Sequence, residues 1–189
     1  MLKLREQIKN YRPCNEQEAK DKELILDFID KNPDAFLRDN RLAHMTASAW
    51  VVNRERSKAL MVYHRIYNSW SWTGGHADGE TDLLSVALRE VREETGVTAT
   101  SVSDDIYSLE VLTVDGHEKR GEYVSSHLHM NITYLLEADE NEELRICEDE
   151  NRGVQWFSLA DTLKASTEPW FVERIYKKLN DKLVTFSGP

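Results

Sequence analysis

Cysteine is scarce in this chain of 189 residues, with only Cys14 and Cys147 present. Their placement matches no metal-ligand spacing, which argues against a disulfide-built fold or a thiolate metal knuckle and fits thiols in a reducing compartment. Long apolar runs are also missing. No stretch approaches the ~18 apolar residues of a membrane helix. The opening residues MLKLREQIKN lack the apolar core of a signal peptide. We therefore expect a cytoplasmic protein with no membrane partner. Positive charge is in deficit, 24 Lys and Arg against 34 Asp and Glu, for a net charge of −10. A nucleic-acid backbone wants a basic face, so an electrostatic grip on nucleic acid is not expected. Internal repeats and low-complexity tracts are absent as well. The length suits one domain with its own core and an added terminal segment.

What the chain does have is a strongly patterned stretch at 74–97, GGHADGETDLLSVALREVREETGV. Its pattern predicts a helix over about Asp82 to Thr95, with Thr81 or Asp82 as N-cap and Gly96 as the left-handed residue that follows. Leu84, Leu88 and Val91, with Ala87 beside them, form an apolar stripe at helical spacing. Glu90, Glu93 and Glu94 stand at i, i+3 and i+4 and share one face, roughly 120° from that stripe. Like charges at that spacing repel. A hard divalent cation such as Mg2+ or Mn2+ would balance them. A solvated acidic face balanced by Arg89 and Arg92 accounts for the same spacing, and taken alone it is the commoner case.

The glycines add a constraint. Counting back from Arg89 and Glu90, Gly75 falls where a longer pattern requires it, and Val91, Gly96 and Val97 occupy the remaining places. The stretch closely resembles the Nudix box, the signature of hydrolases that cleave a nucleoside diphosphate linked to another group. One position departs: the glutamate of that box is Thr81 here, flanked by Glu80 and Asp82.

The resemblance implies an α/β fold, a Nudix-like α/β/α sandwich with a mixed β-sheet. Residues 1–40 form an N-terminal helical extension and 41–189 the Nudix domain. It implies Mg2+ or Mn2+ as cofactor, held by Glu90, Glu93 and Glu94 with a backbone carbonyl at Gly74 completing the shell. Glu93, Glu94 and Arg89 are the implied catalytic set, Arg89 orienting the glutamates through an ion pair. With Thr81 unable to anchor that arginine by charge, Glu80 can take its place. The general base is open between a box glutamate and an acid on another loop, with Glu122, Glu148 and Glu150 as the outside candidates. The implied reaction is attack of water on a phosphorus of a diphosphate bridge in a small nucleoside diphosphate derivative. Two other readings stand beside it. One is an isopentenyl-diphosphate isomerase-like enzyme, although Gly74 or Gly75 stands where its cysteine would be. The other is a non-catalytic Nudix-fold nucleotide-binding or regulatory module, although such modules commonly lose box glutamates.

Around this stretch the chain reads as strands and helices. Residues 1–14 show little pattern. Asn15 caps a helix with Glu18 at capping-box spacing, Leu24, Ile25, Phe28 and Ile29 give it an apolar edge, and Pro33 opens a short second helix. That edge packs on the domain or on a second subunit, so a homodimer is compatible. Residues 44–53 and 59–64 form a hairpin. Trp70 and Trp72 share a face of a short strand, as core or as a base-stacking pair. Arg65 is a candidate phosphate contact. Residues 106–114 form a strand, and 115–125 an exposed hairpin loop with Lys119 and Arg120 at its tip. Residues 126–137 form a strand that places His127 and His129 on one face, as substrate contacts beside the catalytic site (metal, phosphate or proton-transfer partners) or as hydrogen-bonded structural histidines. The acidic run 139–150 reads as a solvated linker. A last strand at 154–157 and helices from 159 and 169 close the chain. Val172, Ile175, Tyr176, Leu179 and Leu183 are the final packed face.

Overall fold

The computed structural model describes residues 1–119 and 121–185. Helices α1 (Leu2–Asn10) and α2 (Glu16–Lys31) come first. Strands β1 (Ala43–Val52), β2 (Lys58–His64), β3 (Ser69–Ser71) and β4 (Thr73–His76) precede the motif helix α3 (Leu83–Thr95). Strands β5 (Thr100–Ser101), β6 (Ser108–Val114), β7 (His117–Lys119), β8 (Glu122–Val124), β9 (His127–Glu137) and β10 (Asn151–Ser158) follow. Helices α4 (Leu159–Ala165), α5 (Pro169–Phe171) and α6 (Lys177–Thr185) come last, with a π-helical turn at Val172–Tyr176 between α5 and α6.

The class is α/β with a mixed sheet, as expected. Leu128 N–H donates to the Leu42 carbonyl and Ala138 N–H to the Val52 carbonyl, both at 3.0 Å. Both numbers rise together, so β1 and β9 run parallel. The pairs β1–β2, β2–β3, β2–β10 and β6–β9 are antiparallel. The chain divides into two compact units, each drawn from three stretches, and β1, β9 and α3 pass from one into the other.

The first unit comprises Met1–Ser48, Gly74–Ala87 and Asp105–Tyr134. Here α2 lies on β6 with Ile25 and Ile29 buried, so the apolar edge of the N-terminal segment packs on its own sheet. The patternless reading of residues 1–14 is corrected by α1. Its buried Leu4 and Ile8 pack toward α2, and Arg5 pairs with Asp30 at 2.6 Å. No second helix opens at Pro33. Successive turns form there, with Ala35 N–H donating to the Asn32 carbonyl and Leu37 N–H to that of Asp34. Asn15 does cap α2 through the Glu18 N–H at 2.9 Å. The Glu18 side chain turns inward and accepts from Tyr11 Oη, Cys14 N–H and Ser108 Oγ at 2.7–2.9 Å. A buried polar ladder continues along the strands. Asn131 Oδ1 accepts from Thr46 and Ser48, and Asn131 Nδ2 donates to Glu110. The 115–125 loop is itself a small hairpin of β7 and β8. Arg120 and the Lys119 side chain lie outside the described residues.

The second unit comprises Ala49–Thr73, Leu88–Asp104 and the chain from Leu135 onward. Strand β2 pairs with the end of β1, with β3 and with β10, which shifts register between Asn151 and Val154. Ser158 caps α4 by accepting from Asp161 N–H at 3.2 Å. Ile175, Tyr176, Leu179 and Leu183 are the buried face of the closing helical run. Trp50 stacks on Tyr176 at 5.6 Å between ring centres.

Candidate active site

Helix α3 starts after Asp82, whose carboxylate accepts from Ser85 Oγ at 2.9 Å and whose carbonyl accepts from Val86 N–H at 3.2 Å. It stops at Gly96, where φ is +79°. Glu80 accepts from the Asp82 N–H at 3.2 Å and so supports the helix entry. The buried stripe is Leu83, Val86, Ala87 and Val91, with Leu84 and Leu88 only half-buried. Ala87 and Val91 of the predicted stripe are therefore kept, and Leu83 and Val86 replace Leu84 and Leu88, a turn of the stripe by roughly 70°. The rotation changes what the acidic face looks like. Glu94 is buried at 5% exposure, Glu90 is half-buried and Glu93 is exposed.

Glu90 and Glu94 are joined by Glu150, and one carboxylate oxygen from each lies within 4.8 Å of the others. Glu93 is not in that group. Arg89 stands by both neighbours on its helix, Nη2 at 3.5 Å from Glu90 and Nε at 4.0 Å from Glu93. Glu150 is delivered by a held turn. Its N–H and that of Asn151 both donate to the Cys147 carbonyl, at 2.9 and 2.8 Å. Arg65 N–H donates to the Glu150 carbonyl at 3.1 Å, and the Arg65 guanidinium donates to the Glu148 carbonyl. Arg65, a candidate phosphate contact by sequence, thus braces the acidic turn. Asn151 Nδ2 closes the arrangement by donating to the Glu94 carbonyl at 2.8 Å.

Crowding shows in the electrostatics. Burial, then the Glu93 and Glu150 charges, push the Glu90 pKa up to about 7, with Arg89 offsetting part of the rise. A carboxyl raised by burial and like charge, with two further carboxylate oxygens within reach, is a donor set that a hard divalent cation takes, so Mg2+ or Mn2+ fits it.

Gly74 is required by strand packing. A Cβ there would lie 2.5 Å from Ser48 Oγ and 2.6 Å from the Ala47 carbonyl oxygen. The tryptophans pack in the second unit. Trp70 meets Phe157 and Tyr63 edge-on at 4.9 and 5.4 Å, and the buried Trp72 meets Tyr176 at 6.0 Å.

His127 and His129 are brought together with two residues that sequence reasoning missed, His44 and His76. The His127 and His129 Nε2 atoms lie 3.2 Å apart. Burial, followed by the charges of His76, His44 and His127, pushes the His129 pKa down to about 2. Only the i, i+2 pair was visible in sequence. The other two arrive through strand pairing.

The NUDIX domain family model matches residues 42–179, and the chain belongs to that family. Among curated proteins it is 34% identical over 104 residues to the m7GpppN-mRNA hydrolase NUDT17 of Xenopus laevis, covering 53% of this chain and 33% of that protein. It is 32% identical over 95 residues to the asymmetrical bis(5'-nucleosyl)-tetraphosphatase of Mus musculus, covering 49% of this chain and 57% of that one. The chain therefore spans a third of the first relative and just over half of the second. Among solved structures, a C. elegans Ap4A hydrolase binary complex aligns with TM-score 0.54 at 20% identity, over 75% of this chain and 98% of that one. A NUDIX-family hydrolase from Clostridium perfringens aligns with TM-score 0.53 at 19% identity, over 74% and 97%. These two likenesses establish the fold.

Proposed function

We propose that the chain is a divalent-metal-dependent pyrophosphohydrolase that cleaves the diphosphate linkage of a small nucleoside diphosphate derivative by attack of water on phosphorus. The observation that carries this is the convergence of Glu90, Glu94 and Glu150 at the end of the family helix. Glu90 and Glu94 would hold Mg2+ or Mn2+, with Glu150 as the third carboxylate. Bound there, the cation would supply a lowered pKa for water and neutralisation of charge on the leaving phosphate. Arg89 orients Glu90 and Glu93 from its place between them. Glu93, exposed beside Arg89 and outside the metal-binding group, is the box glutamate available to take the proton from the attacking water.

The names of the two curated relatives both describe nucleotide compounds with phosphate chains, which supports a nucleotide substrate. The net charge of −10 favours a small molecule over a long polyanion. Phosphate release, coupled to a phosphatase where needed, should be measured with Mg2+ or Mn2+ across nucleotide sugars, dinucleoside polyphosphates and nucleoside triphosphates. Turnover of one class that Glu94→Gln lowers by about 100-fold or more, at unchanged circular dichroism, is the expected result. No turnover on any class, or full activity in Glu94→Gln, refutes the reading.

A further inference from the structure

We propose that His44, His76, His127 and His129 form a binding site for a transition-metal dication of the zinc type, sharing no residue with the acidic group of α3. The four side chains come from three strands of the first unit. His44 is on β1, His76 ends β4, and His127 and His129 open β9. Each offers a ring nitrogen, and the four nitrogens lie within 4.8 Å of one another. The ring centres are 4.9–5.0 Å apart for His44–His76, His44–His127, His44–His129, His76–His129 and His127–His129. Five such pairings among four rings describe convergence on a point, where a row of stacked rings would touch only its neighbours.

The outer nitrogens of two rings are already tied down. His44 Nδ1 lies 3.1 Å from the Asn40 carbonyl, and His127 Nδ1 lies 2.9 Å from that of Ser125. A carbonyl only accepts, so each Nδ1 carries a hydrogen and the neutral ring presents its lone pair at Nε2. Metal-ligating histidines are oriented by this second bond to a carbonyl. The His44 side is the more telling. The residue is 5% exposed, and its Nε2 has no hydrogen-bond partner. Buried polar atoms are ordinarily satisfied, and a cation supplies the missing partner.

The inner spacing agrees. Around a tetrahedral ion with ~2.0–2.1 Å bonds to imidazole, neighbouring nitrogens stand roughly 3.3 Å apart. The His127 and His129 Nε2 atoms are 3.2 Å apart, so one edge of that tetrahedron is in place. The remaining separations, up to 4.8 Å, close by side-chain rotation about fixed strands. Imidazole nitrogen suits Zn2+, Co2+, Ni2+ and Cu2+, whereas Mg2+ keeps to oxygen. Four protein ligands fill a tetrahedral shell, so the site is of the structural kind and ties β4 to β1 and β9.

The test uses full-length protein freed of any histidine tag, stripped with chelator and titrated with Co2+ while visible absorption is recorded. One Co2+ per chain should bind with the intense bands of tetrahedral coordination, and Zn2+ should displace it. The variant His127→Gln with His129→Gln should bind at least ~10-fold more weakly and lose those bands. Glu90→Gln with Glu94→Gln should keep them. Because His44 is buried, the exposed-side variant His127→Gln is also made, with circular dichroism to verify folding. Zn2+ should raise the melting temperature of the wild type and not that of the His127 and His129 variant. The absence of tetrahedral bands in the wild type, bands that survive in the double histidine variant, or bands that vanish in the glutamate variant would each overturn the proposal.

Discussion

Asn151 Nδ2 donates to the main-chain carbonyl of Glu94 at 2.8 Å, so the residue after Glu150 is fastened to the last turn of the motif helix. Both partners are buried, Asn151 at 1% exposure and Glu94 at 5%. Asn151→Ala removes the donor and leaves a carbonyl of the helix end without it. Such a loss costs ~1–3 kcal/mol, to be read from chemical denaturation. It also loosens the turn that presents Glu150, so Mn2+ affinity should fall in the same variant. A protein with wild-type stability and wild-type Mn2+ affinity would show that the fastening is idle.

Glu90 provides a pH signature. Its carboxyl is raised from 4.5 to about 7, chiefly by burial. Between those values the folded protein keeps a proton that the unfolded chain has released. The stabilisation from this group is therefore full below about 4.5 and is lost as pH rises through about 7. The depressed His129 works the other way, losing stability as pH falls below its ordinary 6.5, so the wild-type curve alone mixes the two. Comparison with Glu90→Gln separates them. In metal-free protein the melting temperature of the wild type, relative to that variant, should fall between about pH 5 and about pH 8. Bound Mg2+ should reverse the fall, since cation and proton compete for the same oxygens. Parallel curves for the two proteins would show that Glu90 is not the group responsible.

Much of this arrangement was legible in the sequence, and the remainder was hidden for identifiable reasons. Helix α3 was placed within a residue by Asp82 and Gly96, and its phase was misread because Leu83 and Leu84 are adjacent and either can begin a stripe. Helix α1 buries only Leu4 and Ile8, too short a repeat to stand out from its polar neighbours. Glu150 sits in an acidic run whose composition is that of a solvated linker. Its selection from that run depends on Arg65 and Asn151, both tertiary contacts. His44 and His76 lie far from His127 in sequence and meet it only through strand pairing.

Gly74→Ala tests whether the glycine that precedes the motif's Gly75 answers to packing. The new Cβ would press on Ser48 Oγ, the Ala47 carbonyl and Ser48 Cα at 2.5–2.9 Å, and two of those atoms are backbone. Overpacking of this sort costs ~1–3 kcal/mol, and the upper end is expected because backbone yields least. A denaturation midpoint equal to wild type would refute the close approach of β4 to β1. Gly121→Ala is a useful companion. Among the described residues its added Cβ meets nothing within 4 Å, so the penalty expected is that of the φ of +83°.

Asn131 carries the largest predicted stability effect away from the site. At 1% exposure it accepts from Thr46 and Ser48, both at 2.9 Å, and donates to Glu110 at 3.0 Å and Thr133 at 3.1 Å. Asn131→Leu keeps the volume, strands two hydroxyl donors and takes one donor from the buried Glu110 carboxylate, which keeps those of Ser108 and Thr133. Each stranded hydroxyl costs ~1–3 kcal/mol, so the pair removes a large share of the ~5–15 kcal/mol of an ordinary domain. Asn131→Asp keeps an acceptor for Thr46 and Ser48 but turns a second carboxylate toward Glu110. It should be milder in acid, where the introduced carboxyl can take a proton and donate to Glu110. Denaturation of both variants at about pH 5 and about pH 7.5 checks the ordering. If Asn131→Leu matched the wild type, or Asn131→Asp gained nothing from acid, the ladder would not be the support that its hydrogen bonds describe.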